Sequence, residues 1–371
     1  MQSTAGVVCE YNPFHNGHAR QLIETRARTG CGWIVCVMSG AFTQRGIPAV
    51  LDARTRARFA LMNGADAVFE LPALYAARDA RAFATGAVAL LDSLNVCGWL
   101  SFGCEDAAAL DAACAMDESD PSARGSLREG LARGESFARA RGLPNLPNLI
   151  LGVEYRRALA GLNSKMQPVA IPRVTESVKP ASVLRASLPD ADAIEPYVPR
   201  IVYESIRDDP GALRYTANLD SFIIGSLRTM AARDLSRVAD VSEGLENRIL
   251  AAATIESTRE ALIARVKCKR YTYARLSRIL AQSMIGVTKT LAAEHPAPEY
   301  ARLLGFRESA RPLLRSISDN ARIPIVYKAG RLRYDPVFQL DIRAEAVSAL
   351  ASASPDRRAG SGATTARMVK L

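Results

Sequence analysis

Four short apolar runs, each separated from the next by a stretch with helical spacing, open the chain and leave few folds available to it. Ala5–Glu10 (AGVVCE) reads as a short buried strand, followed by a polar loop and a helix from about Gly17. Trp33–Met38 (WIVCVM) is a second strand, and Asp52 is placed to cap a helix running to about Asn63. Ala67–Leu71 is a third strand, and a helix from about Arg81 to Asn95 leads to a fourth, Trp99–Phe102. Strands joined by crossover helices build a parallel, doubly wound sheet, so the expected class is α/β. Ala107–Gly142 reads as helical, and Pro168–Arg173 as a late strand weakened by its prolines.

From about Ala191 the pattern turns helical. Leu219–Ala232, Leu245–Ala253, Ser257–Val266 and Tyr273–Met284 carry apolar residues three and four apart, the spacing of one helix face. Pro324–Tyr334, with Gly330, is a candidate hairpin, and the Ser-, Ala- and Gly-rich end is expected as a flexible tail. The expected organisation is an α/β domain over 1–190, a mainly helical domain over 191–350 and a tail over 351–371.

Charge separates the same two halves. The chain of 371 residues has a net charge of +10. Residues 1–190 carry 20 basic and 18 acidic side chains, whereas residues 259–343 alone carry 17 against 7. Such an excess favours a polyanionic partner. Within it, Arg265–Leu280 holds six cations (Arg265, Lys267, Lys269, Arg270, Arg275 and Arg278) and no acid, interrupted by Tyr271 and Tyr273. Lys and Arg suit nucleic-acid phosphates, and a tyrosine can stack on an unpaired base; a solvated helix with its tyrosines in the core is the plainer alternative.

Other classes are excluded early. No apolar run approaches the roughly 18 residues that span a bilayer, and the N-terminus lacks the charged start and apolar core of a signal peptide. Seven cysteines without a Cys-x-x-Cys pair, and only three histidines, argue against a zinc site or a disulfide framework. Reduced, buried thiols in a cytoplasmic protein are expected, with no membrane and no protein partner implied.

The sharpest chemistry lies in Glu10–His18, EYNPFHNGH, which leaves the first strand and opens a helix. An open α/β sheet places its ligand crevice at such a junction, and the free N–H groups of a helix start favour phosphate. Gly17 lets the backbone approach a ligand and Pro13 fixes the loop. His15 and His18, three residues apart, can face one bound group and stabilise charge that develops at phosphorus.

This arrangement resembles the HxGH signature of the nucleotidyltransferase superfamily, whose members bind ATP against a Rossmann-like sheet of the HUP type. The resemblance assigns catalysis to His15 and His18. Further segments follow in order: VMSGAFTQRGIPA (37–49), GADAVFELP (64–72), SFGCED (101–106), PNLILGVEY (147–155), ASVLR (181–185), EGLENRI (243–249), KRYTYARLSRIL (269–280) and LLGFRESARPLL (303–314). Together they are similar to the tRNA-Met cytidine acetate ligase family over roughly residues 5–330.

The resemblance implies a two-step reaction. Acetate attacks the α-phosphate of ATP, giving acetyl-adenylate and pyrophosphate, and the acetyl group then passes to N4 of the wobble cytidine in elongator tRNA-Met. It implies ATP contacts through Val7, Val8, Glu10, Tyr11, Asn12, Pro13, Phe14, Gly17 and Arg20, and at Gly103, Asn148 and Arg173. Ser182 and Arg185 stand where the superfamily keeps a second phosphate-contacting helix start, with Ser182 as its cap. The tRNA set is Arg265, Lys267, Lys269, Arg270, Tyr271 and Arg275. Mg²⁺ would arrive on the ATP phosphates, since no acidic cluster suggests a protein cage. Acetate is already a nucleophile, so the first step needs positioning rather than a base.

Some positions depart from the family pattern. Cys104 replaces a usual Ser, Ala53 a common Lys and Ile47 a frequent Glu, which affects fine contacts and leaves both histidines in place. A small-molecule adenylyltransferase making a dinucleotide cofactor would also use His15 and His18, but would leave the basic helical half idle. A non-catalytic RNA-binding module is the third alternative.

Overall fold

The computed structural model describes residues 3–115, 129, 146–173, 178–360, 362–365 and 367–371. Strand β1 (Thr4–Cys9) is buried along its whole length and pairs in parallel with β2 (Trp33–Ser39) on one side and β4 (Cys97–Cys104) on the other. Parallel β3 (Ala67–Leu71) extends the sheet beyond β2, and β5 (Gln167–Pro172) extends it beyond β4 as an edge strand. An edge position is where a strand tolerates the prolines at 168 and 172. The parallel order is thus β3-β2-β1-β4-β5. Its direction reverses between β1 and β4, the point at which doubly wound sheets bind their ligands.

Helices cover both faces. Helix α1 (Asn16–Thr29) follows β1, and α2 (Ala53–Met62) leads into β3. Asp52 caps α2 as expected, its carboxylate accepting from Arg54 N at 2.9 Å and Thr55 N at 3.0 Å. One apolar layer joins Leu22 of α1 and Phe59 and Leu61 of α2 to Val7, Ile34 and Cys36. The opposite layer packs the helices Ala80–Leu94 and Pro147–Gly161 against Val35, Val37 and Phe69, and continues into the helical second half.

The helical expectation for 107–142 holds over Ala107–Ala115; residues 116–128 and 130–142 lie outside the described residues. The second half is helical at Asp220–Thr229, Leu245–Ile255, Arg259–Val266 and Tyr273–Ile285. It also returns to the sheet. Strand β6 (Ala301–Phe306), not foreseen in the sequence, pairs antiparallel with β3 and sets Arg302 opposite Glu70. Their side chains form a buried ion pair at 2.7 Å. The helix Pro336–Leu350 is tied back through Asp341, which accepts from Ala73 N at 2.7 Å and Tyr300 Oη at 3.0 Å.

Two expectations fail here. Pro324–Tyr334 is not a hairpin: β7 (Ile325–Val326) runs parallel to β6, and Ala329–Leu332 forms a 3-10 turn. The Ser/Ala/Gly-rich end is not simply a tail, because β8 (Val369–Lys370) pairs with Gly305 and Phe306 of β6. Backbone hydrogen bonds offered by a sheet edge outweigh what composition indicated there. Among the described residues, no helix is long and apolar enough to cross a membrane.

Candidate nucleotide site and basic surface

The Glu10–His18 loop is fixed by its own backbone. His15 is the N-cap of α1: Gly17 N donates to its Nδ1 at 3.1 Å, and His15 N donates to Nδ1 of His18 at 3.2 Å. The two imidazoles stack, with centroids 3.6 Å apart and planes 18° from parallel. Burial, with the nearby Arg173 guanidinium, holds the His15 imidazole down to about 4. Burial, then His15 and then Arg173, lowers that of His18 as well. Both rings are therefore neutral at pH 7. Because each Nδ1 is occupied as an acceptor, each ring carries its proton on Nε2. The pair presents two N–H donors at the open end of α1, without a charge that titrates near neutrality. In an NMR titration, the ring protons of both histidines should stay unshifted from pH 8 to about 5. A midpoint near 6.5 for His15 would contradict this packing.

The rest of the first segment builds the loop rather than reaching out of it. The side chains of Val7, Val8, Tyr11, Pro13 and Phe14 are buried, so only their backbone is available to a nucleotide. Tyr11 adopts a φ of 50° and packs edge-on against Phe14 and His18, at 4.7 and 4.9 Å. Asn12 Oδ1 accepts from Val50 N at 2.8 Å. A side chain at Gly17 would lie 2.9 Å from both His15 Cε1 and Val178 Cγ1, so glycine is what lets the imidazole fold over the helix start. Arg20 lies on the outer surface of α1 beside Glu24, at 4.0 Å, and does not join the group.

Across the switch point, Gly103 stands near the end of β4. Arg173 follows β5 and lies 3.5 Å from Glu105. Glu105, which sequence reasoning passed over within SFGCED, organises this side. Its Oε1 accepts from Asn148 Nδ2 at 2.6 Å, and its Oε2 from Leu149 N at 2.9 Å, which caps the helix Pro147–Gly161. Asn148 is held by this carboxylate rather than acting as the cap itself. Cys104 is buried, and burial raises its thiol, so it is unsuited to nucleophilic use.

Arg185 reaches the first loop, donating from Nη1 to Asn12 O at 2.6 Å. Ser182 does not cap its helix. The cap position of Ala181–Ser187 is Pro180, and Ser182 is an exposed residue of the first turn. Arg56 was not foreseen at all. It is fully buried in α2, and its guanidinium donates to the carbonyls of Leu51 (3.0 Å), Glu10 (2.5 Å), Ser39 (3.1 Å) and Gly40. It ties together the C-terminal ends of β1 and β2, from which the loops of the crevice emerge.

The Gln44–Arg45–Gly46 loop bridges the two halves. Gln44 N donates to Glu10 Oε1 at 2.6 Å, while Ser277 Oγ, on the helix Tyr273–Ile285, donates to Arg45 O at 2.5 Å. Gly46 has a φ of 69°, and a side chain there would lie 2.6 Å from the backbone of Arg278. Asp240 adds a shared clamp, 3.2 Å from Arg78 and 2.9 Å from Arg278. Arg45 is left exposed on a loop gripped from both sides.

On the second half, Lys267, Lys269 and Arg270 lie exposed in the connection between two helices, and Arg265 is exposed beside them. Arg265 pairs with Glu256 and Arg270 with Glu243. Two members of the expected set are turned inward. Tyr271 is only 5% exposed and sits between the guanidiniums of Arg248 and Arg275, each 5.5 Å from its ring, so it cannot stack on a base as placed. Arg275 is half-buried and donates to Asp240 O at 3.0 Å and Ser242 Oγ at 2.6 Å. Tyr273 is the exposed ring, at 41%, and donates to Glu260. Among the described residues, no group of three or more His, Cys, Asp or Glu side chains could hold a metal ion.

The family model for HIGH Nucleotidyl Transferase matches residues 1–361. The tRNA(Met) cytidine acetate ligase of Caldanaerobacter subterraneus subsp. tengcongensis is 34% identical, over 93% of this chain and 94% of that protein. That of Clostridium kluyveri is 35% identical, over 91% and 92%. Among solved structures, Thermotoga maritima TmcAL bound with alpha-thio ATP superimposes with a TM-score of 0.92 at 29% identity, over 100% of this chain and 99% of that one. The apo form of the same protein gives 0.90 at 28% identity, with the same coverage.

Proposed function

Since the chain belongs to the tRNA(Met) cytidine acetate ligase family of HIGH nucleotidyl transferases, we propose that it joins acetate to ATP as acetyl-adenylate and passes the acetyl group to N4 of the wobble cytidine in elongator tRNA-Met. It is an ATP-dependent ligase that acetylates a tRNA cytidine. The observation that carries this function is the stacked His15–His18 pair at the start of α1, beside the switch point of the sheet, whose occupied Nδ1 atoms leave both Nε2–H groups as donors. Donors already in place at developing phosphate charge need no reorganisation during the reaction. We assign phosphate binding to this pair, the backbone at Gly17, and Arg173 and Arg185. Gly103 and Asn148 are assigned to the nucleoside side, where an amide both donates and accepts.

Mg²⁺ would enter with ATP and neutralise part of its phosphate charge; among the described residues, no acidic cluster would hold it alone. Acetate enters already ionised and needs only to be held in line with the α-phosphate. The α/β part, 1–190, carries the activation chemistry, and the basic part, 191–350, carries the tRNA in the cytoplasm. The exposed cations Arg265, Lys267, Lys269 and Arg270 hold its phosphates, which sets affinity and orientation more than sequence choice.

The test incubates the protein with labelled acetate, ATP and an elongator tRNA-Met transcript. Acetate-dependent release of pyrophosphate and label at N4 of the wobble cytidine are expected; pyrophosphate release that ignores acetate would sink the proposal. Replacing Lys267, Lys269 and Arg270 together by alanine should weaken tRNA binding. It should also flatten its salt dependence by roughly one logarithmic unit per lost phosphate contact. An unchanged binding curve would move the tRNA surface elsewhere.

A further inference from the structure

We propose that Glu10 accepts the proton released from the cytosine N4 amine during acetyl transfer, a role that rests on the function proposed above. Adenylation gives this carboxylate no proton to accept. Acetate needs no base, and a negative group in a crevice that must hold a triphosphate opposes binding. Its use falls in the second step, after pyrophosphate has left.

The placement suits that step. Glu10 directly follows β1 and starts the loop that ends in His15 and His18, so it borders the space where the acyl phosphate forms. One oxygen, Oε1, is fixed by Gln44 N at 2.6 Å. The other accepts no hydrogen bond and joins no ion pair among the described residues, and Glu10 is half-buried, which leaves that oxygen available to the crevice. The charges of Arg56, Arg185 and Arg45 act on the carboxylate, and none of the three forms an ion pair with it. Arg56 spends its donors on carbonyls, and Arg185 donates to Asn12 O. Burial raises the Glu10 carboxyl above its ordinary value, and the three arginines oppose the rise. The other titratable groups near it, Cys9 and Tyr155, are pushed upward by burial and stay neutral. The carboxylate is therefore a stronger base than an exposed glutamate and is ionised once the pH exceeds its raised value.

In the step itself, the N4 lone pair attacks the acetyl carbonyl carbon. The N–C bond forms and the bond from that carbon to the phosphate oxygen breaks, so AMP leaves with the electron pair. The N4 proton passes to the free oxygen of Glu10 and from there to water.

Glu10→Gln keeps an acceptor for Gln44 N and removes the basicity. Single-turnover transfer from enzyme-bound acetyl-adenylate to tRNA is measured beside acetate-dependent ATP–pyrophosphate exchange. Transfer should fall at least about 100-fold further than exchange does. The wild-type transfer rate should decline on the acid side as Glu10 protonates, and that limb should vanish in Glu10→Gln and persist in Glu10→Asp. Transfer at the wild-type rate, or equal losses in both steps, would overturn the assignment. Exchange is read first on the wild type: if it shows no acetate dependence, the functional proposal fails before Glu10 is in question.

Discussion

Replacing His18 with alanine should slow acetate-dependent ATP–pyrophosphate exchange by two to three orders of magnitude while leaving tRNA affinity within about twofold. The size follows from the loss of one preorganised donor aimed at developing charge, a loss of 10²–10³ in comparable sites. The same change removes the acceptor of His15 N and the ring stacked 3.6 Å away, so His15 loses its orientation as well. Stability should suffer far less, by about 1 kcal/mol, the worth of one helix cap. Exchange kinetics and filter binding on one preparation separate the effects. A variant that retains exchange within tenfold of wild type would remove His18 from the chemistry.

The second large effect is expected at Arg56. Arg56→Met keeps much of the stem volume but withdraws the guanidinium from the carbonyls of Glu10, Ser39 and Gly40, at the ends of β1 and β2, and of Leu51, just before α2. Each buried carbonyl left without a partner costs about 1–3 kcal/mol. Partial relaxation keeps the total on the order of 4 kcal/mol, a severe loss for a single substitution. A urea midpoint lowered accordingly, together with exchange lost in the folded fraction, is the expected outcome. An unchanged midpoint would show that water replaces the guanidinium at no cost.

The two predictions differ in how visible their residues are in the sequence. His15 and His18 stand out because their chemistry is local: strand, loop, two imidazoles and glycine lie within about a dozen residues. The four strands around the site were equally legible, since buried parallel strands are short apolar runs. Arg56 reads as one of three cations on a basic helix, and only the fold shows that carbonyls distant in sequence converge on it. Glu105 was hidden for the same reason. Strand β6 escaped notice because its partner β3 lies far away in the chain and its neighbours are helical. Tyr271 was misjudged in the other direction: exposed cations flank it in sequence, yet its ring turns inward between Arg248 and Arg275.

The Glu70–Arg302 pair joins residues 232 positions apart, which has a consequence for synthesis. At roughly 5–20 residues per second, the ribosome delivers β6 some ten to fifty seconds after β3. Throughout that interval the β3 edge of the nascent sheet has no strand beside it, and an unpaired edge invites other chains to pair there. The strands that carry the crevice are synthesised early, but the strand that covers the β3 edge of their sheet arrives late. Yield of soluble protein should therefore depend on how well a chaperone or a slow emergence shields that edge.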